Sequence, residues 1–352
     1  MGGLSRKAYM IKQIESEVDK PVLRLDAGAL LFGQPSVPVP LLEARTIQAR
    51  GISRAMQAMH FAAIGTAPQD LAAGLEFFGR LRLESSLPWL SANLLDKAGE
   101  RPLQPSVMTK IGETTVAIIG LTGEQAGNPS GQPIEDLRIL PWQEVLPAAL
   151  KQVKGHAEMI ILLSSYPEPV NREIAGRFPD IHLIIQSGTF PANKSPQLVG
   201  NALITQVAAR GKYLGRMDID WQPAHRWSLG EDRPGQLQQA KDNLVRTTWR
   251  IERIEKRPQD KEGLAQNREY QQLRQEQDRL KAEIARLEQP AREQQEKLST
   301  FTSNFIPLKT SLPEDPEIQK IVVRTKQEII RAGQKKNEEV TEKSQPAPGF
   351  KK

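Results

Sequence analysis

The chain has 352 residues, 38% hydrophobic and 26% charged, with no cysteine, a net charge of +6 and a pI near 9.4. Disulfides, thiolate metal sites, cysteine-linked haem and cysteine nucleophiles are therefore excluded. No run of about eighteen apolar residues is present, so there is no candidate membrane-spanning segment. Aromatic residues make up 5% of the chain and are not interleaved with the basic runs, leaving no specific nucleic-acid signal.

In chain order, MGGLSRKAYM lacks the apolar core of a signal peptide. Residues 4–18 read as a helix, 21–26 as a short buried strand, 41–59 as a helix and 61–65 as a second strand. Asp70 opens a predicted helix to about Glu84, with Leu71, Leu75 and Phe78 at helical spacing. Residues 87–95 read as a strand, and 105–111 with 114–121 as a hairpin turning at Gly112-Glu113. A helix over 142–154 and another over 170–177 alternate with apolar strands at 159–165 and 181–188. Strands at 202–208 and 214–221 close the sheet region. Strands alternating with helices make a layered α/β domain, and the short turns between some strands predict mixed sheets.

The character changes after Trp227. Residues 235–256 form a charged helix with Leu237, Leu244 and Ile251 seven apart. Pro258 and Gly263 bracket a turn, and a second helix carries Tyr270, Leu273, Gln277, Leu280, Ile284 and Leu287 as a heptad seam. Such a pair predicts an antiparallel hairpin on the order of 35 Å long, interrupted at Pro290. Phe301, Phe305, Ile306 and Leu308 form an extended apolar stretch. Asp315 and Pro316 start a last helix that Gly333 is expected to stop. The expected division is 1–228 for the α/β domain, 235–300 for a helical hairpin, 301–333 for an extended segment and docking helix, and 334–352 for a disordered tail.

Several segments together resemble the N-terminal catalytic domain of bacterial 5′-nucleotidases, within the calcineurin-like metallophosphoesterases. GGLSRKAYMIKQI resembles that family's first helix, VLRLDAGALLFG its strand ending LDAGDLLQG, and FAAIGTAPQD its VGNHEFD strand. LPWLSANLLD, TVAIIGLTG, IILLSS, LIIQSGTF and KYLGRMDIDW follow in the family's order, so the likeness covers roughly residues 1–221. It implies a four-layer α/β/β/α sandwich with mixed sheets, here lacking the first strand, plus the C-terminal helical hairpin. The family's Asp-x-His motif would lie just upstream of Met1, so a shortened start is one expectation. The likeness also implies a periplasmic or other extracytoplasmic location.

The family holds two divalent metal ions that activate a water and clamp the phosphate, which requires oxygen and imidazole ligands. The resemblance places its bridging Asp at Ala29, its Asn-His-Glu at Thr66, Ala67 and Pro68, its next His at Ser165, and its final His-x-His at Gly188 and Phe190. Asp26 and Asp70 are retained near the site, at positions usually outside the metal shell, and are expected to cap turns. No catalytic residue and no cofactor are expected. His60, His156, His182 and His225 miss every ligand position and read as structural. Ser164-Ser165 lacks a nucleophile elbow, and the Gly-rich stretch from Gly120 lacks the Gly-Lys-Ser/Thr of a phosphate loop. The expectation is a non-catalytic binding or scaffolding protein with an unidentified protein partner on the helical arm. The alternative, implied by the resemblance alone, is a metal-dependent phosphoesterase acting on nucleotide esters.

Overall fold

A computed structural model describes residues 3–124, 137–187, 192–222, 226–228, 233–255, 267–288 and 298–344. The chain divides into two compact units, residues 1–216 with 304–352, and residues 217–303.

In the first unit the apolar runs become the centre of a six-stranded sheet. β5 (Ser106–Ile111), β6 (Thr114–Leu121), β8 (Met159–Ser164), β9 (Leu183–Gln186), β10 (Lys194–Val199) and β11 (Ala202–Gln206) lie in the order β10-β11-β9-β8-β6-β5. β11, β9, β8 and β6 are mutually parallel, while β5 and β10 pair antiparallel at the two edges. The parallel centre is buried on both faces, which is why Met159–Ser164 shows no polar alternation. A smaller parallel sheet joins β1 (Leu25–Asp26), β2 (Ala63–Gly65) and β3 (Trp89–Leu90).

The two sheets face each other closely enough that side chains are excluded at two glycines. A Cβ on Gly120 would lie 2.3 Å from the Leu90 carbonyl oxygen, and one on Gly65 would lie 3.0 Å from Leu163 Cβ on β8. Helices cover the outer faces. α4 (Trp142–Val153) and α5 (Glu168–Arg177) close one core over the large sheet with Leu146, Ile160, Leu162 and Ile184. α1 (Leu4–Glu17), α2 (Leu42–Ala58) and α3 (Leu75–Ser85) close the other core with Met56, Ile64, Phe78 and Trp89. These are the four layers of an α/β/β/α sandwich.

The last helix, α8 (Pro316–Ser344), belongs to this second core through Ile318 and Val322. Asp315 caps it, accepting the Ile318 N–H at 3.0 Å while pairing with Lys12 of α1 at 2.7 Å. Gly51 on α2 gives α8 its approach, since a Cβ there would fall 2.3 Å from Thr325 Oγ1.

Several elements depart from the sequence reading. The 70–84 helix is broken: Pro68–Leu71 is a 3-10 turn and α3 begins after Gly74, whose φ is 89°. The 87–95 strand splits into β3 and β4 (Leu94–Leu95), which joins a different sheet with β7 (Arg138–Ile139), because buried Ser91 and Asn93 bond sideways between them. β10 was hidden in the sequence by Pro196, tolerated on an edge strand. α8 passes through Gly333 to Ser344, because one interior glycine costs about 1 kcal/mol and good helix formers follow it.

The second unit holds α6 (Arg233–Glu255) and α7 (Arg268–Glu288). Arg250 pairs with Glu269 and Gln277 with Thr248, so indices rise on one helix as they fall on the other and the helices run antiparallel. Ile251, Ile254 and Leu273 form the buried seam, with Tyr270 packed beside it. The turn with Pro258 and Gly263, Pro290, and the side chains of Leu237 and Leu287 lie outside the described residues. At the base of the arm Ser228 N–H donates to Ser299 O, and Ser299 N–H donates to Arg226 O. Trp227 stacks edge-on against Trp221 and Phe301 beside this clamp. The division of the chain falls within both strands of a two-stranded sheet, β12 (Tyr213–Asp220) and β13 (Thr300–Pro307).

Candidate functional site

Parallel strands deliver their C-terminal ends, and the loops that follow, to one rim. The loop after β1 carries Ala29, the loop after β2 carries Thr66, Ala67 and Pro68, and the residue after β8 is Ser165. The structure joins these positions through hydrogen bonds. Asp70 links the first two loops, Thr122 Oγ1 donates to Thr66 O at 2.9 Å, and Gly123 N–H donates to Ser165 Oγ at 2.7 Å. Gly188 and Phe190 lie outside the described residues.

Asp70 is fully buried, and its carboxylate is surrounded by backbone donors. Oδ2 accepts the N–H groups of Ala29 and Ala67, each at 2.9 Å. Oδ1 accepts those of Leu30 at 2.8 Å and Leu31 at 2.9 Å. Burial nonetheless dominates its acidity, and pushes its pKa up to about 6 against the four donors that favour the charged form. Asp26, at the end of β1, accepts the Gly28 N–H at 3.0 Å. Its pKa is also raised by burial, with the Lys7 charge and the Gly28 bond pulling the other way. Gly28 must be glycine, because φ is 100° and a Cβ would lie 2.6 Å from the Gly65 carbonyl oxygen.

Ala29 has a φ of 58°, in the left-handed region. Alanine enters that region at a cost, whereas Asp and Asn enter it more readily. The backbone at this position thus suits the Asp that the resemblance assigns to it better than it suits the residue present. Thr66 is 1% exposed, and its Oγ1 is buried without a hydrogen-bond partner among the described residues, as are Ser187 Oγ and Gln206 Nε2.

Among the described residues, the donors present do not fit a pair of divalent ions. Such ions need several oxygen or imidazole ligands. Ala29, Ala67 and Pro68 have none, Ser165 offers a neutral hydroxyl already bonded to Gly123, and both oxygens of Asp70 are committed to the backbone. Among the described residues, no three His, Asp or Glu side chains gather as a metal site would require.

A neutral polar network lies in this region, and it was not legible in the sequence. Ser164 Oγ donates to Asn171 Oδ1 at 2.7 Å, Asn171 Nδ2 to Gln186 Oε1 at 3.0 Å, and Gln186 Nε2 to Gln206 Oε1 at 2.8 Å. Across the two sheets, Asn93 Nδ2 donates to Thr122 O at 2.7 Å and Ser91 Oγ lies 2.8 Å from Thr122 Oγ1. Gln186 and Gln206 end β9 and β11 while Asn171 lies within α5, so no motif spacing joins them, and the one available signal was polarity at the ends of two apolar strands. Tyr166, beside Ser165, donates from its hydroxyl to Glu124 at 3.3 Å, and burial raises its pKa well above the usual phenol value. Among the histidines, His182 is buried with Nδ1 accepting the Ile160 N–H at 3.0 Å, His60 and His156 are away from the rim loops, and His225 lies outside the described residues.

No protein-family profile matches the chain. Over 143 residues it is 26% identical to the uncharacterized metallophosphoesterase YunD of Bacillus subtilis, covering 38% of this chain and 29% of that protein. The solved structure of sulfate thiohydrolase SoxB from Thermus thermophilus aligns over 92% of this chain and 46% of its own, at 16% identity and a TM-score of 0.60. A 5′-nucleotidase precursor from Thermus thermophilus aligns over 94% of this chain and 54% of its own, at 14% identity and a TM-score of 0.60. The chain spans about half the length of these two solved structures. Its fold is the metallophosphoesterase fold of the 5′-nucleotidase type.

Proposed function

We propose that this chain is a non-catalytic member of the metallophosphoesterase fold that works as a binding or scaffolding module. In this reading the α/β domain to residue 228 is the body, residues 235–300 are the arm that meets a partner, and residues 301–333 return the chain to the body. The observation that carries it is Asp70: a carboxylate retained on this rim spends both oxygens holding backbone N–H groups, between loops that carry Ala29 and Ala67 at ligand positions. Two-metal phosphoryl transfer needs charge on both the attacking and the leaving oxygen, and this donor set supplies none. An extracytoplasmic location belongs to the same reading, supported by the likeness to a 5′-nucleotidase precursor.

The test is elemental analysis of protein produced with manganese and zinc in the medium, alongside hydrolysis of nitrophenyl phosphate. The expected result is substoichiometric metal and no metal-dependent turnover. Two tightly bound equivalents with turnover would establish a phosphoesterase instead.

A further inference from the structure

The last helix buries one face and displays the opposite one. Ile318, Val322 and Thr325 of α8 are buried, with Ile321 packed beside the same core. On the far side Lys320, Val323, Gln327, Ile330 and Gln334 are exposed, spaced alternately three and four residues apart. That alternation is a coiled-coil seam, with Val323 and Ile330 at d and the buried Ile318 and Thr325 at the position opposite the seam. Val323 is 42% exposed and Ile330 is 59% exposed. The flanks hold Arg324 and Arg331 on one side, and Gln319, Lys326 and Gly333 on the other.

The charges along this face do not cancel. Between residues 314 and 334 the carboxylates are Glu314, Asp315, Glu317 and Glu328. Each is already paired: Arg6 lies 2.8 Å from Glu314, and Lys12 lies 2.7 Å from Asp315 and 3.2 Å from Glu317. Glu328 lies 3.0 Å from Arg324 and 3.7 Å from Arg54 of α2. Glu317, in the first turn, is the one carboxylate on a flanking position. From Gln319 to Gln334 the seam and its flanks carry none. Lys320, Lys326 and Arg331 are exposed and have no ion-pair partner among the described residues. Past Gln334 the sequence sets Lys335, Lys336 and Lys343 against Glu338, Glu339 and Glu342, which adds no net charge.

We propose that this outward face of α8 is a docking surface for an acidic amphipathic helix of another protein. The proposal rests on the scaffolding reading and adds a contact on the body to the one assigned to the arm. Charges flanking a coiled-coil seam decide which helices pair. Carboxylates on the partner would meet Lys320, Lys326 and Arg331, its apolar stripe would cover Val323 and Ile330, and polar side chains would face Gln327 and Gln334. A second copy of this chain is disfavoured in either direction. A parallel pair sets Lys326 against Arg331, and an antiparallel pair sets Arg324 against Arg331. An anionic membrane is disfavoured because Val323 and Ile330 make too narrow a stripe for interfacial burial. A nucleic acid is disfavoured because no aromatic ring lies along the face.

The experiment uses the full chain and two designed helical peptides that share one apolar stripe, one flanked by Glu and one by Lys. Fluorescence anisotropy of the labelled peptides reads binding. The Glu peptide should bind and the Lys peptide should not. Val323→Ala with Ile330→Ala should weaken the Glu peptide about tenfold or more. Lys320→Glu, Lys326→Glu and Arg331→Glu together should exchange the preference, a gain that misfolding cannot imitate. Helical circular dichroism of each variant should match the parent, since these side chains lie outside the core. No binding of the Glu peptide, equal binding of both peptides, or a preference that survives charge reversal would overturn the proposal. So would a dimer by light scattering that Ile330→Ala dissolves. Phosphatidylserine vesicles or duplex DNA that bind more tightly than the Glu peptide, and lose that binding on charge reversal, would also overturn it. The metal and turnover assays run on the same preparation. Turnover there would remove the non-catalytic reading, whereas a peptide failure without turnover would remove only the assignment of this face.

Discussion

Asp70 holds Ala29 in the left-handed backbone region: its Oδ2 accepts the Ala29 N–H at 2.9 Å, where φ is 58°. The same carboxylate takes three further N–H groups from Leu30, Leu31 and Ala67. Removing it strands four donors in or near the core, and a buried unpaired donor costs about 1–3 kcal/mol. Asp70→Ala should therefore lose at least about 3 kcal/mol, read as a lower urea midpoint at unchanged slope. Ala29→Gly should move the other way by about 0.5–1 kcal/mol, because relief of the Cβ outweighs the added chain entropy. A neutral Asp70→Ala would show that the two loops are held by something else.

Asp70 also predicts a pH dependence of unusual sign. Its folded pKa is pushed up to about 6 from an ordinary 3.8, so the native state takes up a proton that the unfolded chain does not between those values. The contribution to stability is full below about pH 4 and is lost as pH rises through 6. Relative to Asp70→Asn, the wild type should become less stable from pH 4 to pH 7, by an amount on the order of a few kcal/mol. The opposite slope in paired urea titrations would mean that the four N–H donors outweigh burial.

The central strands were largely readable from the apolar runs, since Met159–Ser164 and the run ending at Leu121 have no polar alternation to confuse them. What was not readable depended on residues far apart in the chain. Asp70 was expected both to open a helix and to cap a turn; it caps the turn, but it also reaches forty-one residues back to Ala29, and α3 starts only after Gly74. Asn93 reads as part of a strand, yet its amide ties Thr122 and Leu140 together and splits that strand in two. At the rim, the strand ends that carry Ala29, Thr66, Ala67, Pro68 and Ser165 were legible in the sequence. The neutral network of Asn171, Gln186 and Gln206 was not, because amides have no diagnostic spacing.

Gly51 offers a test of how α8 is held. A Cβ there would fall 2.3 Å from Thr325 Oγ1 and 2.5 Å from its Cγ2. Gly51→Ala should cost about 1–3 kcal/mol through overpacking, even though alanine is the better helix former. Thr325→Ala added to it should recover most of the loss. If the double variant is no better than the single one, α2 and α8 do not meet at this pair.

Restoring two ligands should not restore an enzyme. Ala29→Asp is compatible with the left-handed backbone, and Ala67→His adds an imidazole on the neighbouring loop. Two side chains cannot hold two ions while Pro68 and Ser165 supply no charge, and catalysis needs the full electrostatic clamp. The double variant should show no metal-dependent hydrolysis of nitrophenyl phosphate above the parent. Clear turnover that disappears with a chelator would place the site much nearer activity than its donor set indicates.

The hairpin can be tested through its own seam. Ile251, Ile254 and Leu273 are all at most 5% exposed, and Leu280 is 3% exposed one turn beyond Gln277. Gln277 finds Thr248 Oγ1 at 2.9 Å, so its polar group is satisfied inside the pair rather than across a second molecule. The buried apolar set is small, and helices of this length are marginal alone, so the two should melt together. Leu273→Asp with Leu280→Asp removes about 2 kcal/mol of burial per site and places charge in the seam. Helical circular dichroism should fall by roughly the share of α6 and α7, while the mass by light scattering stays that of a monomer. The aromatic clamp of Trp221, Trp227 and Phe301 lies outside the seam and should keep its near-ultraviolet signal. A wild-type dimer that these substitutions convert to monomer would show instead that the seam joins two chains.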